Sequence, residues 1–335
     1  MIDRTGKFIR IGIVAMPVGL ITIGMGSVLW STRDKPRTYE SEQPLFGGRG
    51  AKAEAITVEA LEEHITVLTE RIGPRNGDNL NRARFYLNST LGLDNIGYNT
   101  LEQRYTVDGA EYANVEAELP GIRWADQIIV VGAHYDSVNA SPGADDNASG
   151  VAAMLVLADA FAGTKTGRTI RFVGFTNEEP PWFQTENMGS AKYAARCVEN
   201  GEKIVAMLSL DSIGYFSDEP NSQNYPAQVA EDFPTTGNFV AVVSNPESAS
   251  LGEYIQKNLR SSDLIPSEFG AFPAAVEAAG MSDHWSFWER GFAALMVTGT
   301  GPFRNPNNHQ ETDTLETLDL ERLSAAANAL ERAIR

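Results

Sequence analysis

From residue 127 onward, short apolar runs rich in Val, Ile and Phe alternate with segments whose apolar positions recur every three or four residues. The runs at 127–133, 169–176, 204–210, 239–244 and 293–298 predict strands, with a further strand at 103–107. The helical periods predict helices over 148–162, 189–199, 247–261 and 319–334. Continuously apolar strands followed by helices imply an α/β fold, a mostly parallel central sheet sandwiched by helices. Upstream, Val58, Leu61, Ile65, Leu68 and Ile72 form the stripe of an amphipathic helix that stops at Gly73-Pro74. His64 lies beside that stripe and is expected to be structural.

The N-terminus has a different pattern. Ile11 to Trp30 is free of charge, with Arg4, Lys7 and Arg10 before it and Arg33 and Lys35 after it. Roughly 20 apolar residues suffice for a helix to span a bilayer, and Pro17 and the glycines of this run are tolerated there better than in a soluble helix. The expected organisation is a cytoplasmic segment at 1–10, a transmembrane anchor at 11–30, a polar linker at 31–55 and one large domain at 56–335. Basic residues ahead of the span favour an exported domain on the periplasmic or extracellular side. Secretion after signal cleavage is the alternative, although Gly24-Met-Gly26 is a poor cleavage site.

Charge and cysteine content narrow the chemistry. With 27 basic and 44 acidic residues the net charge is −17, which argues against a nucleic-acid partner. The single cysteine, Cys197, excludes an intrachain disulfide and a cysteine-held zinc, so any metal must rest on oxygen and imidazole.

Such donors recur near the predicted strand ends, where α/β sheets bind ligands. His134 and Asp136 are two apart in extended chain and project to one face, as suits an imidazole and the carboxylate that orients it. Asp145-Asp146-Asn147 opens the helix at Ala148, where one of the three could serve only as a cap. Glu178-Glu179 is a costly pair unless something positive lies beside it, and Pro180-Pro181 keeps it in an irregular turn. Asp211 ends an apolar strand, as an edge carboxylate or a ligand. His309 sits in a polar loop. Together these residues read as a two-metal hydrolytic site. Asp146, Glu179 and Asp211 supply three negative charges, which two divalent ions and one hydroxide balance. Zinc fits mixed imidazole and carboxylate donors best, with manganese or cobalt as substitutes.

Over roughly 73–320 the chain resembles the di-zinc aminopeptidases, the family of bacterial leucyl aminopeptidase, aminopeptidase Y and glutamate carboxypeptidase II. The resemblance rests on His134-Tyr-Asp136-Ser, Pro142-Gly-Ala-Asp-Asp-Asn-Ala-Ser-Gly150, Asn177-Glu-Glu179, Leu210-Asp211, Ser282-Asp-His284 and His309-x-x-x-Asp313-Thr, in family order. It implies that Asp146 bridges two ions, with Glu179 and His309 completing one site and His134 and Asp211 the other. It further implies Glu178 as general base, Asp136 as the partner of His134, and a cis bond between Asp146 and Asn147. His284 and Asp313 fall in matched segments and are expected behind the ligands, a structural role being the alternative for His284. The implied substrates are peptides with a free N-terminus, shortened one residue at a time. Pro180–Asn187 departs from the simplest members, and its Trp182 and Phe183 are candidates for the substrate pocket. Two other functions compete: a mono-zinc glutaminyl cyclase, and a non-catalytic binding ectodomain, which typically loses ligands that this chain keeps.

Overall fold

A computed structural model describes residues 55–138, 140–229, 233–273 and 275–335. The expected segments 1–10 and 11–30, and all of the linker but Ala55, lie outside the described residues. Among the described residues no helix is long and apolar enough to cross a membrane.

The strands are β1 (Thr100–Val107), β2 (Ala110–Leu119), β3 (Trp124–His134), β4 (Arg168–Phe175), β5 (Lys203–Asp211), β6 (Val240–Ser244), β7 (Ser267–Ala271) and β8 (Ala294–Thr298). They form one eight-stranded sheet in the order β1-β2-β4-β3-β5-β8-β6-β7. The helices are α1 (Val58–Thr66), α2 (Gly77–Leu91), α3 (Gly150–Phe161), α4 (Gly189–Glu199), α5 (Ala249–Ser262), α6 (His284–Trp288) and α7 (Leu320–Ile334).

The centre, β4-β3-β5-β8, is parallel as expected. The sheet as a whole is mixed: β6 also pairs parallel with β7, so four of the seven pairings are parallel and three antiparallel. β1 pairs antiparallel with β2, β2 with β4, and β6 with β8. The first reversal has a local cause. Asp108-Gly109 turns with positive φ at both residues, 50° and 82°, which suits a tight hairpin.

Alternation along the central strands separates two cores. Ile129, Val131 and Ala133 of β3 join Leu208 and Leu210 of β5 under α1, α3, α5 and α7. Ile128 and Val130 face the other way, with Met207, against Tyr193 and Cys197 of α4 and Phe287 of α6. α1 starts on Thr57, whose hydroxyl accepts from Ala60 N, and continues as a wider turn through Ile72 to Gly73 at φ 84°. His64 Nδ1 pairs with Tyr86 OH at 2.7 Å, away from the strand ends. Helix α2 was not foreseen: Leu80, Ala83, Leu87 and Leu91 keep helical spacing, but polar residues fill most of the rest.

The buried centre of the sheet should carry the stability. Leu208→Ala, at a fully buried site in β5, should cost about 2–5 kcal/mol. Leu101→Ala, at a half-exposed site in β1, should stay within about 0.5 kcal/mol. Urea unfolding of the two variants checks the contrast.

Candidate metal centre

The parallel strands deliver the acidic residues to one edge of the sheet. His134 ends β3, Asp211 ends β5, and Glu178-Glu179 follow β4 after a short turn. Asp146 comes from the irregular turn Ala144–Ser149 ahead of α3, and His309 from the loop beyond β8. The Asp146–Asn147 bond is cis. Asn177, Ser212 and His309 adopt positive φ of 58°, 53° and 61°, the kind of backbone strain that concentrates at functional sites.

The side chains converge. His134 Nε2 lies 3.3 Å from Asp146 Oδ1, 3.8 Å from Asp211 Oδ2 and 3.9 Å from Glu178 Oε2. His309 Nε2 lies 3.1 Å from Asp146 Oδ2 and 3.3 Å from Glu179 Oε2. The two oxygens of Asp146 therefore face two different imidazoles. His134 and the four carboxylates are buried, whereas the His309 side chain is 43% exposed.

Electrostatics registers the crowding. Burial pushes the Glu178 carboxyl well above its ordinary value, and Glu179, Asp211 and Asp283 add to that against His134. Burial together with Asp146 raises Glu179 to about 7. Burial opposes the His134 cation, yet Glu178 and the carboxylates of Asp136, Asp146 and Asp211 hold its pKa well above the usual range. Hydrogen bonding to Asp146 and Glu179 raises His309 to about 10. Burial disfavours the Asp146 carboxylate, but His134 and His309 outweigh it and lower its pKa.

The residues fit divalent ions. Both ring nitrogens of His134 and Oε1 of Glu179 are buried without a hydrogen-bond partner, and polar atoms are rarely left so. One ligand atom each from His134, Asp146 and Glu179 falls within 4.8 Å of the others. Imidazole with carboxylate is a donor set that zinc accepts.

A cavity of about 420 Å³ opens beside the cluster. Glu178, Glu179, Asp211 and His309 form one part of its lining, and Phe183, Tyr225, Phe233, Phe269 and Phe272 are among the aromatic residues of the rest.

Residues 114–334 match Peptidase family M28. The chain belongs to this family. Over 301 residues it is 32% identical to the uncharacterized protein YfbL of Escherichia coli K12, covering 86% of this chain and 91% of that one. It is 25% identical over 349 residues to a probable leucine aminopeptidase of Trichophyton verrucosum, covering 91% and 87%. Its fold is similar to that of BSAP, a zinc aminopeptidase from Bacillus subtilis, with a TM-score of 0.66 at 15% identity over 85% and 95% of the two chains. A glutaminyl cyclase from Porphyromonas gingivalis is nearly as similar, with a TM-score of 0.63 at 17% identity over 84% and 99%. Likeness at such identity speaks for the fold alone; family membership makes the chain a hydrolase acting on peptides.

In this M28 peptidase the loops that carry the cluster are held from behind. Asp136 accepts from the backbone N–H groups of Glu178 at 3.3 Å and Glu179 at 3.1 Å, and stands 3.6 Å from His134 Nδ1. Asp313 does the same for Asp145 and Asp146, at 2.9 and 3.1 Å. Two expected residues lie elsewhere. His284 is buried at the start of α6, bonds the Ala279 carbonyl through Nε2 and packs edge-on against Trp288, with burial lowering its pKa to about 4. Trp182 does not line the cavity, although Phe183 does; its backbone N–H closes a turn onto Glu179 O.

Sequence reasoning had Asp145 only as a member of the acidic cluster or a helix cap, and missed Asn305, Asn308 and Arg75 of the peptidase. Asp145 accepts from the N–H groups of Gly214 and Tyr215 and from Asn305, and Asn308 donates to Asp146 Oδ2 at 2.8 Å. Arg75, fully buried, donates to the carbonyls of Tyr135, Pro142 and Gly143. Burial draws its pKa down to about 10 against the pull of Asp313, Asp136, Asp146 and Glu179. The only signal for it was a charged residue directly after the Gly73-Pro74 helix stop.

Removing that cation leaves three carbonyls short of a donor, so Arg75→Met should lose roughly 3–5 kcal/mol in denaturant unfolding. Neutral imidazoles are needed to bind ions, while His134 and His309 hold their protons above the usual pH range in the ion-free protein. Zinc uptake at pH 7 should therefore release protons and weaken as pH falls. Titration calorimetry in buffers of different ionisation heat measures the release, and its absence would contradict these protonation states.

Proposed function

We propose that this M28 peptidase is an aminopeptidase that uses two zinc ions and removes bulky apolar residues from the N-terminus of peptides. The observation that carries the reading is the placement of Asp146, with Oδ1 toward His134 and Oδ2 toward His309. A carboxylate so placed suits a bridge between two ions, with His134 and Asp211 on one and Glu179 and His309 on the other. Such ions, when bound, would supply Lewis acidity toward water and a carbonyl.

The chain's own groups do the rest. Glu178, with its proton affinity raised by burial, accepts the proton of the attacking water and returns it to the departing amine. The acidic part of the cavity lining attracts the free ammonium of the substrate, and the aromatic part receives its first side chain. Exclusion of N-terminally blocked peptides follows from that charge. The proposed setting is an exported domain tethered through residues 31–55 to an anchor at 11–30. Cyclisation of an N-terminal glutamine competes on the same fold, and pyroglutamate formation without release of the first residue would favour it.

Glu178→Gln should bind zinc and fold as the parent does but lose about 10²–10⁴-fold in kcat on leucyl-p-nitroanilide. Turnover near the parent value would remove Glu178 from the reaction. Acetylating the substrate amine should abolish cleavage by the parent enzyme.

A further inference from the structure

Two buried polar residues outside the cavity lining, Gln223 and Arg304, have no part in the chemistry above. Arg304 is 5% exposed and Gln223 4%. Gln223 Oε1 accepts from Arg304 Nε at 2.8 Å and from Thr300 Oγ at 3.1 Å, and its Nε2 donates to Asn224 O at 2.8 Å. The Arg304 guanidinium lies 4.7 Å from the centre of the Phe239 ring and 5.7 Å from that of Phe216, while its Nη2 has no hydrogen-bond partner. Ring faces on this scale partly replace the water a cation has lost. A Cβ on Gly237 would come within 2.9 Å of the arginine stem, so the passage is built for it.

The knot joins two segments that meet at the cavity. Tyr225 and Phe233, both lining it, come from the connection between β5 and β6. The backbone bond from Gln223 N to Thr235 O closes that connection on itself, and the one from Asn224 N to Phe303 O ties it across to the loop after β8. The rings then continue the wall, Tyr225 to Phe233 at 5.9 Å and Phe233 to Phe272 at 5.9 Å. The metal-side groups of the same loop are fixed separately, by Asn305 on Asp145 and Asn308 on Asp146.

We infer that Gln223 and Arg304 are positioning residues for substrate selection: their buried hydrogen bond sets the aromatic wall against which the first side chain of the substrate packs. The inference rests on the aminopeptidase reading. Without the bond the wall loses its register, a large apolar side chain loses its packing, and a small one loses little.

The test compares phenylalanyl- and alanyl-p-nitroanilide on the zinc-loaded full chain. In Gln223→Met, KM for the phenylalanyl substrate should rise about ten-fold. Its kcat, both constants for the alanyl substrate and the zinc content should stay near the parent values. Gln223→Glu, which still accepts from Arg304, should keep the parent ratio. Equal loss on both substrates, or an unmoved ratio in Gln223→Met, overturns the inference. If that variant does not fold, Arg304→Lys, which keeps the charge without the fork, is read the same way; collapse of both assigns the pair to stability and overturns the proposal. A parent enzyme that releases neither residue defeats the aminopeptidase reading and this inference with it, whereas an active parent with an unmoved ratio defeats the inference alone.

Discussion

Mutual repulsion among Asp146, Glu178, Glu179 and Asp211, all buried around the ring of His134, is the constraint to which the rest of the site answers. Two like charges about 4 Å apart repel by roughly 4 kcal/mol at the effective dielectric of a protein surface, and by more where water is excluded. That crowding raises the proton affinity of both imidazoles and, with burial, of Glu178 and Glu179. Arg75 adds a permanent cation from below, spending its hydrogen bonds on three carbonyls. A cluster so rich in buried carboxylate is one that divalent cations would stabilise.

Repelling groups stay in place only if their backbones are held. Asp136 and Asp313 each accept from two successive N–H groups, so the Glu178-Glu179 and Asp145-Asp146 turns are both pinned by a carboxylate from another part of the chain. Asn147 works similarly, donating to Leu210 O at the end of β5 and accepting from Gly150 N and Ser212 N. Central strand ends and helix starts are thereby locked together. The cavity wall away from the cluster is built differently, from aromatic rings on longer connections.

The central strands were legible because burial on both faces forces continuous apolar runs, and four of the predicted helices because their stripes face one core. β2 and β7 were not: Glu111, Glu116 and Glu118 break the apolar run of β2, and β7 contains Glu268 and Gly270. The clustered carboxylates were readable as acids stranded at the ends of apolar strands, and Asp136 by its spacing from His134. Arg75, Asn308 and Arg304 were not, since each acts through partners distant in sequence and nothing local separates a buried arginine or asparagine from a surface one. Trp182 misled for a related reason: a large aromatic beside a site looks like pocket wall, yet only its neighbour Phe183 lines the cavity.

Whether Asp146 is shared between two ions is decided by the number of zinc ions per chain at equilibrium after dialysis against buffered zinc. Two are expected for the parent chain and a loss of both in Asp146→Ala, because each site would draw on that carboxylate. A parent chain that holds one ion or none, or an Asp146→Ala chain that still holds two, would contradict that expectation.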